Sequence, residues 1–465
     1  MKRLASAGLA WGPLAMLALL VAAAAFYPER EARGARHLAG WLGTLALGVA
    51  WAATSIDLHR RARAGTLSRG WVWAAFALLA LATLAVPAFH SSDVHAYVQV
   101  GRLQTAHDAN PYVTVPADLP PTVVEADPLI GTTWADTPCT YGFGFALVAR
   151  GIVAAAGDDL DRAILLFKVF GLLGLLLCAV GTFALSRRLA RDDDATITAL
   201  LLLSPWTLLH FVSNAHNDMW MGACLVLAAW ALHARRWWLV LPLLVAGALM
   251  KHLALVALPF FALAVWRQGG WRALMPGAVL ASLLAWACAT PYIDAIGTDE
   301  LGRIGAILTT PWNSISAALH YTWTRTLGAE GDAIAEGIRL GFAVAFVVFA
   351  GWRFLSRLGP RAAREAYDTP SAIEDAATTL FVLLFVCSAA WHPWYPGMVL
   401  GLMLCLPKAH VVRRMAIAVT AFQLLAFTPL AKARVLEALV MLVLPMALVL
   451  WQERRGATTG RPGSP

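Results

Sequence analysis

Charge is scarce in this chain: 14% of its 465 residues are Asp, Glu, Lys or Arg, against about 25% in soluble domains. Hydrophobic residues reach 59%, above the roughly 45–50% usual for soluble proteins. A water-soluble globular fold is thereby excluded. Also missing is the apolar–polar alternation along a strand that a transmembrane barrel needs. The apolar residues instead form continuous blocks of about 15 to 25, long enough to cross a hydrocarbon core of roughly 30 Å as helices. Lipid offers exposed backbone no hydrogen-bond partner, so such blocks must be helical. The expected fold class is all-α, a polytopic transmembrane helical bundle.

Other absences narrow the function. The six cysteines show neither metal-type Cys/His spacing nor a disulfide framework. Cys139 alone lies in a polar loop; the other five lie in apolar runs and read as small packing residues. There is no P-loop, no dinucleotide fingerprint and no cytoplasmic Gly-rich turn, which argues against a nucleotide-consuming reaction. No internal repeat is visible, so the inverted-repeat logic of many secondary transporters gains no support. The net charge of +8 comes from arginines in short loops between apolar blocks. That is the pattern of topology determinants facing an anionic leaflet, and it implies no nucleic-acid partner.

Charge accounting then gives a map. With Lys2 and Arg3 cytoplasmic, spans are expected near 7–26, 38–56, 71–89, 163–186, 195–212, 217–233, 237–251, 252–266, 273–290, 333–352, 376–391, 396–407, 412–429 and 434–451. This makes about fourteen crossings with both termini inside, and it collects nearly every arginine-rich loop on one side. The segment 143–157 is short and carries Arg150 midway, so it reads as a re-entrant or interfacial helix. The organisation is then N-terminal spans in 1–70, a core module in 71–352 with external loops 91–142 and 291–332, a cytoplasmic linker 353–375, C-terminal spans in 376–451 and a cytoplasmic tail 452–465. The first apolar run exceeds the h-region of a signal peptide, so an uncleaved anchor is expected. Of the twenty tryptophans, Trp71, Trp73, Trp237, Trp238, Trp271, Trp391, Trp394 and Trp451 lie near block ends, as interfacial belts do.

What charge and polarity remain converge on the outer face. The clusters are "SSDVHAYVQVGR" (91–102), "DANPYV" (108–113), "TWADTPCTYGF" (133–143), "SNAHND" (213–218), "MKH" (250–252), "TTPWNS" (309–314) and "AAWHPWYP" (389–396). Each has a plain structural reading. Asp93 or a neighbouring serine can cap a helix, and so can Asn217 or Asp218. "NPY" and "TPCTYG" are ordinary turn chemistry, Lys251 can snorkel, and "HPWYP" can belong to an aromatic belt. Yet a cap needs one side chain, and "SNAHND" carries five polar ones. An ammonium at the membrane surface suits a lipid-linked phosphate, and an external carboxylate suits a general base for a hydroxyl.

Taken together, these residues resemble the GT-C superfamily of integral-membrane glycosyltransferases, most closely the bacterial polyprenol-phosphate-mannose-dependent mannosyltransferases. The resemblance covers roughly residues 70–430 and is carried by Asp93, Tyr97 and "GR" (101–102), "NPY", "TPCTYG", "NAHND", Lys251 and "HPWYP". The chain has more N-terminal spans than the minimal core of that superfamily. The resemblance implies transfer of a hexose, expected to be mannose, from a polyprenyl-phosphate donor to an external glycan or lipid acceptor. It places the chain in the inner (plasma) membrane, with the site on its periplasmic or extracellular face. Asp93 would be the general base, and Lys251 with Arg102 would hold the donor phosphate. Tyr97, Tyr112, Tyr141, Asn214, His216, Asp218, His392, Trp394 and Tyr395 would contact substrate. Some enzymes of the superfamily use a divalent metal, for which this sequence presents no evident ligand set. The other function compatible with the sequence is a transporter or flippase of a lipid-linked sugar, which would place ionisable groups near mid-membrane.

Overall fold

Helix is the regular secondary structure throughout the residues described in this computed structural model: 12–19, 35–88, 91–127, 129–131, 133–191, 193–308, 310–359, 367–427 and 434–458. Among them, six helical stretches are long and apolar enough to cross a membrane: Leu160–Arg188, Asp194–Ser213, His252–Ala289, Glu330–Ser356, Thr369–Cys387 and Val435–Arg455. Arg69–Ala85, Phe143–Ala156, Asp218–His233 and Trp237–Met250 are shorter apolar helices. The all-α class is the one expected, whereas fourteen crossings are not found among the described residues. The span 7–26 lies largely outside them, as do parts of the linker 353–375 and the tail 452–465. The spans expected at 252–266 and 273–290 form one run broken at Gly270, whose φ of 67° lies outside the right-handed helical region and suits a residue without Cβ.

Six helices position the functional end: α1 (Arg69–Ala85), α2 (Asp93–Ala106), α3 (Phe143–Ala156), α4 (Leu160–Arg188), α5 (Asp218–His233) and α6 (Trp237–Met250). Ser68 caps the start of α1 by accepting from Trp71 N. The helix stops before Pro87, which disfavours helical geometry in the residue ahead of it. The carbonyls left at that end are satisfied from neighbouring helices. Lys168 Nζ of α4 donates to Val86 O at 2.5 Å and to Leu84 O at 3.3 Å, and Ser213 Oγ donates to Pro87 O at 2.9 Å. The chain leaving α1 is thereby tied to α4 and to the Leu208–Ser213 turn.

Helix α2 buries Val94, Tyr97 and Val98 against Phe145, Ala146 and Ala149 of α3 and Phe167 of α4. The approach requires Gly101, because a Cβ there would stand 2.4 Å from the Ala149 carbonyl oxygen. Helix α3 has 14 residues, about 21 Å of helix, short of the hydrocarbon thickness. Helices α5 and α6 form an antiparallel hairpin through Ala234–Arg236, so the first residue of α5 and the residue after α6 meet at one end. The arginines Arg69, Arg187, Arg188, Arg235 and Arg236 occupy the opposite ends of these helices.

Lipid exposure follows the same division. Asp194–Ser213 is almost entirely buried, whereas Glu330–Ser356 leaves nearly its whole apolar surface outside the bundle. Trp73 and Trp238 are exposed near helix starts, Trp271 beside the break at Gly270 and Trp451 near the end of the Val435–Arg455 stretch, as a belt requires. Trp391 and Trp394 are not belt residues: both are buried in the bundle.

The charge map is open to direct test. In a cysteine-free background, a cysteine replacing exposed Ala126 should react with an impermeant thiol reagent in intact cells, and one replacing exposed Ala64 should not. The reverse labelling pattern would invert the map.

Candidate active site

A cavity of about 330 Å³ opens where α2, the 137–141 turn, the end of α6 and the 388–398 segment meet. Asp93, Tyr141, Lys251, His392, Trp394 and Tyr395 line it. These come from four of the polar clusters that the sequence sets at block ends.

Asp93 is the first residue of α2; Ser91 Oγ accepts from its N–H at 3.3 Å, whereas the carboxylate of Asp93 itself caps nothing among the described residues. Capping therefore does not explain this carboxylate. Ser91 Oγ donates to Asp93 Oδ1 at 3.0 Å, and His216 Nδ1 lies 3.5 Å from Oδ2. Burial pushes the Asp93 carboxyl up to about 6, opposed by the Ser91 hydroxyl and the Lys251 charge and reinforced by Asp218. The fold favours the protonated acid. That contribution to stability is complete below the ordinary value of 3.8 and is lost as pH rises through about 6.

Asp218 begins α5, again without a side-chain cap hydrogen bond from the preceding Asn217. It is fully buried, and Lys251 Nζ lies 3.0 Å from its Oδ1. The same ammonium sits over the rings of Tyr141 and Tyr395, at 5.1 and 5.4 Å from their centroids. Gly142 lets this turn close on α6, since a Cβ there would stand 2.4 Å from Leu249 O. An ammonium has three donors, and Lys251 lines the cavity, so the pair leaves donor capacity for an anion. A lysine snorkelling into water does not describe this side chain, which is 17% exposed.

A ladder of rings passes the cavity, and two of its members, His392 and Trp394, line it. His216 stacks on Trp394 at 3.8 Å, Trp394 on His392 at 4.7 Å, and His392 on Trp312 at 6.2 Å. Burial, with the Lys251 charge, lowers His392 to about 3, so it is a neutral ring near pH 7. Backbone pairing holds the ladder's outer rungs: Trp312 N donates to Ala389 O at 3.1 Å and Trp391 N to Trp312 O at 2.6 Å. Helical turns of π type, Leu208–Ser213 and Val382–Cys387, lead into the "NAHND" and "HPWYP" segments. Such widened turns are frequent at functional sites.

The remaining expected residues stand one layer back or elsewhere. The Tyr97 ring meets Tyr141 at 5.3 Å and Phe145 at 4.8 Å, and Tyr112 Oη donates to the Tyr141 carbonyl at 3.0 Å. Asn214, His216 and Asp218 have no exposed surface. Both amide atoms of buried Asn217 lack a hydrogen-bond partner among the described residues. Arg102 is not brought to the cavity. Its Nε lies 2.7 Å from Asp127 Oδ2 and its Nη1 2.7 Å from Asp158 Oδ1, so "GR" joins a helix-packing glycine to an ion-paired arginine. Gln99, Trp134, Thr137 and Ser388 also line the cavity. Of these, Trp134 and Thr137 lie in the polar cluster 133–143 and Gln99 in the cluster 91–102, whereas Ser388 stands just before the cluster 389–396. Among the described residues, no group of three or more His, Cys, Asp or Glu is placed to hold a metal ion.

A family model described as alpha-(1->6)-mannopyranosyltransferase, N-terminal domain, matches residues 3–267. That is more than half of the chain, and the chain belongs to this family. It is a membrane glycosyltransferase of the mannosyltransferase class. Alpha-(1->6)-mannopyranosyltransferase A of Mycobacterium tuberculosis is 25% identical over 376 residues, covering 76% of this chain and 68% of that protein. A Mycolicibacterium smegmatis protein named probable alpha-(1->6)-mannopyranosyltransferase is 25% identical over 280 residues, covering 53% of this chain and 45% of its own length. No solved structure matches the chain.

The Asp218–Lys251 pair makes a stability prediction. Removing one partner of a buried pair leaves the other uncompensated, at a cost of about 3–5 kcal/mol. Lys251→Met should therefore lower the thermal midpoint of the purified protein markedly, and adding Asp218→Asn should recover most of the loss. A single variant as stable as the wild type would show that Lys251 does not neutralise Asp218.

Proposed function

We propose that this chain transfers mannose from a polyprenyl-phosphate donor to a hydroxyl of a glycan or lipid acceptor at the external face of the inner (plasma) membrane. The observation that carries the reading is a single cavity lined by both a poised carboxylate, Asp93, and a cation, Lys251, at the bundle end remote from the arginine-rich helix ends. At that face no nucleotide sugar is at hand, and a sugar already attached to a lipid is the fitting donor.

The chemistry is an inverting displacement at the anomeric carbon. The acceptor oxygen attacks that carbon as the bond from it to the phosphate oxygen breaks. The electron pair leaves with the phosphate, whose charge Lys251 neutralises through a charge-assisted hydrogen bond. The acceptor proton passes to Asp93, a carboxylate above its raised value of about 6. His216 steadies the carboxylate, while Tyr141, His392, Trp394 and Tyr395 shape the walls for sugar and lipid phosphate. Asp218 holds Lys251 in position from behind. A carrier of lipid-linked sugars would hold its ionisable groups near mid-membrane, whereas Asp93, Asp218 and Lys251 stand at helix ends.

Asp93→Asn retains size and a helix-compatible polar side chain while removing the base. Turnover with a polyprenyl-phosphate mannose donor should fall by about 10²–10⁴-fold, with donor binding retained. The wild-type rate should rise with pH through a midpoint near about 6, where Asp93 ionises. Wild-type turnover in Asp93→Asn would remove Asp93 from the role of base.

A further inference from the structure

Trp134 occupies a backbone conformation that its side chain does not favour. Its φ is 66°, and a bulky residue at positive φ is an outlier that persists only where its surroundings impose it. Here they do. Gln99 Nε2 of α2 donates to Thr133 O at 2.9 Å, and also to Gly131 O at 2.9 Å. On the other side Ala117 N donates to Ala135 O at 2.9 Å, and Thr137 N donates to the carbonyl of Trp134 itself at 3.1 Å. The peptides before, at and after the residue are all tied down.

The strain presents the indole at the cavity. Trp134 lines it and yet is 40% exposed, in contrast to the buried Trp394 across the site. Its Nε1 donates to Ser92 Oγ at 3.1 Å, and Ser92 directly precedes Asp93. The indole is therefore held against Ser92, the residue before Asp93, by a hydrogen bond and a clamped loop, and it lines the cavity that Asp93 also lines. Strained residues of this kind cluster at ligand clamps.

We infer that Trp134 is the acceptor platform: the sugar ring that carries the attacking hydroxyl lays its C–H face on the indole, which brings that hydroxyl to Asp93. The inference rests on the glycosyl-transfer reading above and adds to it the side chain that receives the acceptor, by stacking rather than by charge. Donor recognition, through Lys251, is separate.

The test uses the full-length protein, a polyprenyl-phosphate mannose donor and an α-1,6-linked mannotrioside as acceptor. Trp134→Gly removes the ring and accepts positive φ without strain, so the fold is retained; Trp134→Phe keeps a ring at the same backbone and loses the bond to Ser92. Acceptor KM should rise roughly 3- to 10-fold in Trp134→Gly, as expected for loss of an aromatic stack, and stay within about twofold of wild type in Trp134→Phe. Donor KM should not move in either. Unchanged acceptor KM in Trp134→Gly, or an equal rise in donor KM, would overturn the assignment. If the wild-type protein transfers no mannose, the catalytic reading fails by itself. Calorimetric binding of the same trioside then still decides on Trp134, through a weaker Kd in Trp134→Gly or an unchanged one that rejects the platform.

Discussion

Asp218 holds a carboxylate with no exposed surface, and the ammonium of Lys251 is 3.0 Å away. Taking each ion out of water costs several kcal/mol, so neither can be left there alone. The pair therefore ties the start of α5 to the end of α6 and sets the register of that hairpin. Register in turn places the Tyr141 turn, which closes on α6 through Gly142, and the Tyr395 ring on the other side of the ammonium. A membrane bundle gains little from apolar burial between helices because lipid is equally apolar. Polar pairs and close contacts carry more of the specification.

Around that pair, the site is assembled from helix ends rather than from helix middles. Asp93 follows α1, Asp218 opens α5, Lys251 closes α6, and the ring ladder follows a π-type turn. Each end supplies one or two side chains, and loop hydrogen bonds fix their approach. Lys168 and Ser213 satisfy the carbonyls leading into Asp93, while backbone pairing of Trp312 with the 389–391 segment fixes the ladder. Asp93 and Lys251, from different helix ends, thereby line one cavity.

Much of this is legible in the sequence because the membrane makes polar residues conspicuous. Asp93, Tyr141, Lys251, His392, Trp394 and Tyr395 stand out against apolar blocks, and the fold brings them together. Burial behind the first wall is not legible: nothing in "SNAHND" says that its polar residues face inward under the rings. Arg102 was expected at the phosphate because arginine suits phosphate. Its partners Asp127 and Asp158 lie 25 and 56 residues away by number, 127 and 158 against 102, and only the fold reveals them. Trp391 and Trp394 counted as belt residues by position, yet they are buried because the chain after residue 387 folds back into the bundle. Gly101 and Gln99 likewise gain meaning only from the elements they touch.

In the proposed reaction the sugar arrives on a lipid phosphate and leaves onto a hydroxyl. The most direct measurement reconstitutes the purified full-length protein in liposomes and supplies mannose-labelled polyprenyl phosphate or mannose-labelled nucleotide sugar, each with the same oligomannoside acceptor. Label should enter the acceptor from the lipid donor alone. Label entering from the nucleotide sugar, with none from the lipid donor, would contradict it.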